Sequence, residues 1–274
     1  MGKRLPNVPG ALSAIVWLLV AVGPIYYVVI TSLKTQANFF DGNPMLPPDS
    51  PTLDSYRLVL DSGFGTYFRN SVVVTIGTVV LAVAVALLAA YAIVRSGRRR
   101  WARWTFGMFL LGLAIPLQAV IIPIYFMITR MHMYDTLLAL VLPSVAFAIP
   151  LTVVILVNFL RDVPNELYDS MRVDGAGHGA ILWSLVVPLS RPALTTVAIY
   201  NGLTVWNGFL FPLILTQSED KRVLPLALWS FQGQFSVNVP AVLAAVVLST
   251  LPILALFIVG RRQLLAGLTA GFSR

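Results

Sequence analysis

Two stretches of this chain gather residues able to do chemistry, and the chemistry differs between them. Between Arg161 and Pro192 stand Glu166, Asp169 and Asp174, followed by Gly175-Ala176-Gly177-His178-Gly179. A glycine-rich run can cradle phosphate when a strand leads into it at dinucleotide spacing, and neither condition is met here. No G-x-x-x-x-G-K-[ST] loop occurs in the sequence, so the chain is not expected to hydrolyse a nucleotide itself. Cysteine is absent, which removes thiolate nucleophiles, disulfides and thiolate metal sites. Taken alone, the three acids read as a solvated helix with favourable charge near its N-terminus.

The second stretch is Ala193 to Thr216, where Thr196, Tyr200, Thr204, Asn207 and Phe211 recur at helical spacing and are expected on one face. Hydroxyl, amide and ring groups together suit a carbohydrate, whose rim carries hydroxyls and whose apolar face stacks on aromatics. An ion path would favour charges. The same stripe would serve equally well for hydrogen bonds between helices, and both readings stand at this point. Gln118 and Tyr125, close to Pro116 and Pro123, are further candidates for a substrate path, whereas Ala82, Ala86 and Ala90 read as close-packing positions.

The elements that must position these residues follow from composition. Of 274 residues 58% are hydrophobic and only 11% charged, with a mean hydropathy of +0.83, whereas a soluble domain is nearer a quarter charged. Apolar runs extend over Ala11–Thr31, Ser71–Val94, Thr105–Ile128, Thr136–Leu160, Ala193–Thr216 and Pro240–Gly260, each free of Asp, Glu, Lys and Arg. Each is long enough to cross the hydrocarbon. The expected fold is therefore all-α: a polytopic membrane protein with six transmembrane helices in a single domain over residues 1–274, its termini on one side. The first run follows Lys3 and Arg4, exceeds a signal-peptide core and lacks a small-residue cleavage site, so it reads as an uncleaved anchor.

The net charge of +8 has a membrane explanation. Thirteen of the nineteen basic residues fall on one set of loops: Lys3, Arg4, Arg95, Arg98, Arg99, Arg100, Arg103, Arg161, Arg172, Arg191, Arg261, Arg262 and Arg274. By the positive-inside rule those loops and both termini are expected in the cytoplasm, with Trp101 and Trp104 as interface anchors. Nucleic acid is not needed as a partner. His132 and His178 then fall on opposite sides of the membrane and cannot share a metal.

Outside lie Lys34–Asn70, a turn near Arg130–Asp135, and Gln217–Val239. Pro44, Pro47, Pro48 and Pro51 exclude a helix from the first, after which Leu53–Leu60 can form a short one. The inner segment, residues 161–192, is punctuated rather than floppy. Asp162 is expected to cap a helix from Pro164 to about Val173, and Asp174 and Gly175 to stop it at a corner. A second short helix, Ala180–Val187, is expected to end at Pro188. Leu167, Tyr168 and Met171 are expected as an exposed apolar knob for a protein partner.

These residues resemble the membrane subunits of binding-protein-dependent ABC importers. The family's cytoplasmic signature runs Glu-Ala-Ala, three residues, Gly, nine residues, Ile-x-Leu-Pro; the matching stretch is Asp169-Ser170-Met171, Gly175 and Leu185-Val186-Val187-Pro188. The Glu-Ala-Ala itself is replaced, while an acid, the glycine, the proline and the spacing are kept. The likeness continues through Asn70-Ser71, Ala89-Ala90-Tyr91-Ala92, Asp135-Thr136-Leu137-Leu138 and Trp206-Asn207. Leu224-Pro225, Phe231-Gln232-Gly233 and Gly267-Leu268-Thr269-Ala270-Gly271 resemble the carbohydrate branch, specifically the smaller permease of maltose-type systems.

The resemblance implies a division of labour. Glu166, Leu167, Tyr168, Asp169, Ser170, Met171, Asp174, Gly175 and Pro188 would form the contact with a separate cytoplasmic ATPase, where ATP and Mg would reside. The chain would carry no cofactor of its own and would not be an enzyme. Its partners would be a second, homologous permease, two ATPase subunits, an extracytoplasmic solute-binding protein and a sugar, all at the plasma or inner membrane. A secondary transporter or channel driven by an ion gradient is the alternative, and it would call for an intramembrane charge, of which the runs hold none. An enzyme acting on lipids would need clustered acids or histidines at the interface.

Overall fold

The computed structural model describes residues 8–41, 43–97, 99–231 and 237–270. Lys3, Arg4, Arg98, Gln232, Gly233, Gly271 and Arg274, named above, lie outside the described residues. Most of those described are helical, with no β-strand among them. Residue contacts divide the chain into two compact units, Met1–Gly65 with Ala227–Pro252, and Thr66–Leu226 with Ile253–Arg274.

The first unit contains α1 (Val8–Ser32), α2 (Gln36–Asp41) and α3 (Asp54–Val59), which runs on into a π-helical turn at Leu60–Phe64. Its small core joins Val59 to Ala241, Ala244 and Ala245. The proline-rich segment stays non-helical as expected and is held by Lys34. That side chain is only 3% exposed, and its ammonium donates to the carbonyls of Asn43 and Pro44 at 3.1 and 3.3 Å.

The second unit carries α4 (Gly65–Arg95), α5 (Arg100–Gly112), α6 (Leu117–Arg130), α7 (Leu137–Arg161), α8 (Asn165–Val173), α9 (His178–Ile181), α10 (Val187–Leu189), α11 (Arg191–Trp206), α12 (Leu210–Leu215) and α13 (Leu224–Ala227). A long helix, α14 (Val239–Ala270), contains the sixth apolar run. Two cores pack between these helices. One joins Ala86, Ala90 and Tyr91 of α4 to Leu156, Val157 and Leu160 of α7, and the other joins Val74 to Leu140 and Phe211. The α4 alanines 82, 86 and 90 are wholly buried, as small residues at a close helix contact should be.

Among the described residues three helical stretches are long and apolar enough to span a membrane: Gly10–Ser32, Asp54–Arg95, which is kinked at Gly63 (φ +90°), and Leu137–Arg161. Two bent pairs raise the number to five, and Val239–Ala255 is a shorter apolar helix. The third run, expected as one helix, is broken: α5 and α6 meet at 101°. Pro116 lacks an N–H and pushes the residue before it out of the helical region, so α5 closes with short-turn bonds such as Ala114 N–H to the Leu111 carbonyl (3.0 Å). The fifth run is broken as well. Helix α11 stops at Trp206, Asn207 is its C-cap, and Phe211 belongs to α12, so the expected five-residue stripe is not one face of one helix.

Candidate functional site

Residues 161–192 form two short helical arms about a tight corner. The first arm, α8, begins at Asn165 with Pro164 as its N-cap, and Asp162 instead closes the C-terminus of α7, correcting the expected cap. At the other end Gly175 takes φ +80°. Its N–H donates to the Arg172 carbonyl (3.0 Å) and that of Ala176 to the Met171 carbonyl (2.9 Å), the paired bonds of a Schellman motif. The second arm runs through α9, a π-helical turn at Leu182–Val186, and α10. Pro188 lies in the first turn of α10, where a missing N–H costs nothing, and the arm continues to Leu189 rather than ending at the proline.

Of the expected knob only Leu167, 40% exposed, stays outward; the other two residues turn inward. Tyr168 is 1% exposed and, with Met171, packs into the core shared by α4 and α7. The Arg95 guanidinium lies 4.4 Å from the centroid of the Tyr168 ring, and Arg95 Nη1 donates to Asn165 Oδ1 at 3.3 Å. Removal from water raises the pKa of the Tyr168 phenol above its ordinary value. The face turned outward carries Glu166, Asp169, Ser170 and Val173, at positions i, i+3, i+4 and i+7. Val173 is 88% exposed, and Trp183 on the second arm 69%. Sequence reasoning missed both, although Val173 stands five residues, or about 140° of helix, from Tyr168, which puts it on the opposite side.

A single helix grips both arms. Tyr91 and Arg95 lie one turn apart on α4, and while Arg95 holds the first arm, the Tyr91 hydroxyl meets His178 Nδ1 at 3.0 Å on the second.

The membrane-embedded part of this unit encloses a cavity of about 360 Å³, within the range of small-molecule sites (about 300–1,000 Å³). Tyr200 and Thr204 line it with Ser71, Thr75, Ser144 and Phe147. Asn207, Gln118 and Tyr125 are not part of its lining. The amide of Asn207 donates to the Leu203 carbonyl (2.8 Å), Tyr125 stands edge-on to Tyr134 (5.7 Å), and Gln118 is exposed. The Thr204 hydroxyl donates to the Tyr200 carbonyl (2.9 Å), which leaves its oxygen as an acceptor facing the cavity wall. The bond between helices that the stripe was weighed against comes from a neighbour instead: buried Asn201 donates to Thr152 Oγ1 at 2.9 Å. Nothing in the local sequence pairs these two residues, which are 49 apart.

At the other end of α7, Asp135 adopts φ +60° and its carboxylate accepts from the N–H groups of Gln217 (2.8 Å) and Ser218 (3.0 Å) and from the Ser218 hydroxyl. Thr136 caps the helix through Ala139 N–H (3.2 Å). The Ser218 bond, followed by that from Gln217, holds the Asp135 carboxyl below its ordinary value of 3.8. The sign follows from linkage: a depressed folded pKa stabilises above the unfolded value and is lost as pH falls through the folded one. Thermal stability of the wild-type protein should therefore decline below about pH 4. Asp135→Asn should flatten that acid limb in a pH series of melting curves while lowering stability at neutral pH.

Comparison with known proteins places the chain. The profile of the family described as "Binding-protein-dependent transport system inner membrane component" matches residues 82–264. A Caldicellulosiruptor protein named as an ABC transporter permease is 38% identical over 93% of each chain. A diacetylchitobiose uptake system permease protein of Streptomyces coelicolor is 31% identical over 98% of this chain and 96% of its own. Among solved structures, a bacterial ABC transporter involved in import of the acidic polysaccharide alginate contains a chain of the same fold, with a TM-score of 0.83, 23% identity, and coverage of 96% of this chain and 98% of that one.

Proposed function

Since the chain belongs to the binding-protein-dependent transport system inner membrane components, we propose that it is the membrane-spanning permease subunit of an ATP-driven sugar importer. In this reading it pairs with a second permease and receives its drive from two cytoplasmic ATPase subunits through residues 161–192. An extracytoplasmic binding protein delivers the sugar, and both termini face the cytoplasm. The observation that carries the reading is the rigid elbow. Gly175 fixes its angle, buried Tyr168 and Tyr91-bound His178 anchor its arms, and Glu166, Asp169, Ser170 and Val173 offer a mixed acidic and apolar face to a partner. A lever that is stiff inside and adhesive outside is what transmission from a soluble motor requires.

The sugar assignment draws support from the relative named for diacetylchitobiose uptake and from the lining of the cavity, in which hydroxyls stand beside aromatic rings and no charged side chain appears. Gln118, Tyr125 and Asn207 drop to supporting positions in this proposal, and Tyr200 and Thr204 carry the path.

Tyr200→Ala tests it. Loss of one ring contact is expected to lower sugar uptake by roughly 2- to 12-fold while the complex assembles and hydrolyses ATP normally. Asn207→Ala, which sits at the end of α11, is expected to change thermal stability more than uptake. Unchanged uptake by Tyr200→Ala would remove this cavity from the path, and purification without an ATPase or a second permease would remove the class.

A further inference from the structure

Helix α5 carries a shallow, open groove with a basic end and an apolar floor. One end holds Arg100 and Arg103, the other Gly107, Met108, Leu110 and Leu111, with Trp104 between them, and the open space along this face is about 790 Å³. Trp104, Met108 and Leu111 are 76%, 68% and 71% exposed and share a face at i, i+4 and i+7. A polar cavity of about 370 Å³ shares Arg103 with the groove and adds Arg161 and Asn165. The Arg161 guanidinium is held 4.9 Å from the Phe106 ring centroid. No carboxylate lines either space, and among the described residues Arg100, Arg103 and Arg161 have no ion-pair partner. Asp162, the nearest acid in sequence, lines a different cavity.

We propose that this groove binds one anionic phospholipid of the cytoplasmic leaflet. Its phosphate lies among Arg100, Arg103 and Arg161, and an acyl chain runs along α5 from Trp104 to Leu111. The inference rests on the orientation proposed above, which puts the arginines on the cytoplasmic side. Guanidinium forks match phosphate oxygens in pairs, and a basic pocket at a helix end attracts anionic headgroups. The apolar floor selects a lipid over an acidic protein segment, because the exposed side chains continue into a membrane-embedded run and the tryptophan is the usual residue of the headgroup level. Asn165, the first residue of α8 and the partner of Arg95, lines the same cavity as Arg103. The headgroup thus touches the root of the elbow.

The test uses the full chain purified in detergent with whatever partners accompany it. Phosphatidylglycerol, phosphatidylcholine and inorganic phosphate are the probes, read by the shift in unfolding midpoint and by lipid retained in native mass spectrometry. Phosphatidylglycerol should raise the midpoint and the other two should not. Arg103→Gln should weaken its retention about fivefold, the worth of one arginine near an anionic surface. Gly107→Phe, placed where a side chain meets open space, should displace the acyl chain with the arginines intact. Equal effects of phosphatidylcholine, full effect of phosphate alone, or wild-type retention by Arg103→Gln would each overturn the lipid site. Loss of the partner chains from Arg103→Gln even in phosphatidylglycerol would make this face a protein interface and overturn it too. The orientation is read separately. A cysteine at Arg99 should be shielded from an impermeant thiol reagent in intact cells while one at Glu219 is labelled, so an inverted topology is distinguishable from a failed lipid site.

Discussion

Tyr168→Ala is expected to destabilise the protein by about 3–5 kcal/mol, the cost of removing a fully buried ring from a packed core. The ring is 1% exposed, sits beneath the Arg95 guanidinium at 4.4 Å, and joins a core drawn from α4, α7 and the second arm. Its loss opens a hole at the point where the elbow meets the membrane helices. Tyr168→Phe separates packing from polarity. The buried hydroxyl has no hydrogen-bond partner among the described residues, so its removal should leave stability unchanged or slightly raised. Unfolding in mixed detergent micelles checks both. An alanine variant within 1 kcal/mol of wild type would show that α8 is held elsewhere.

Gly175→Leu is expected to abolish most uptake while leaving insertion intact. A Cβ there meets nothing within 4 Å, so the obstacle is not space. The φ of +80° is the cost, about 1–2 kcal/mol for a residue with a Cβ, more for one that is bulky. Opening the corner relieves the strain and loses the two Schellman bonds, so the arms no longer hold a fixed angle. Asn, which tolerates the left-handed region, should restore most of the transport. Uptake set against ATPase association distinguishes the cases, since a stably expressed leucine variant that transports normally would strip the elbow of its role.

The corner was readable because Asp-Gly at the end of a short amphipathic stretch leaves few alternatives, and the fourth apolar run starts at Thr136, the residue that caps α7. The direction of α8 was not. An apolar trio on a loop was expected to seek a partner, yet the α4 and α7 ends offered a nearer apolar surface. The opposing row of Glu166, Asp169, Ser170 and Val173 was the available sign that Tyr168 and Met171 face inward, while Leu167 stays exposed. Breaks inside apolar runs escape hydropathy for a simple reason: it weighs side chains, whereas a break is a matter of backbone hydrogen bonds. Pro116 was visible, but its effect depends on what receives the freed groups. Asn201 and Thr152, each unremarkable in its own run, acquire meaning only through packing.

The right-angled break in the third run bears on how the chain enters the membrane as it is made. Helices α5 and α6 have 13 and 14 residues, each about 20 Å long and well short of the roughly 30 Å hydrocarbon. Neither half is long enough to be a self-sufficient stop-transfer segment. The surface that receives them is α7, whose Pro150 approaches Gly112 so closely that a Cβ there would lie 3.1 Å from its ring. Because α7 emerges from the ribosome later, the third run must wait, loosely held, for the segment that follows it. Lengthening the turn at residues 131–136 should therefore slow membrane integration more than it weakens the finished protein.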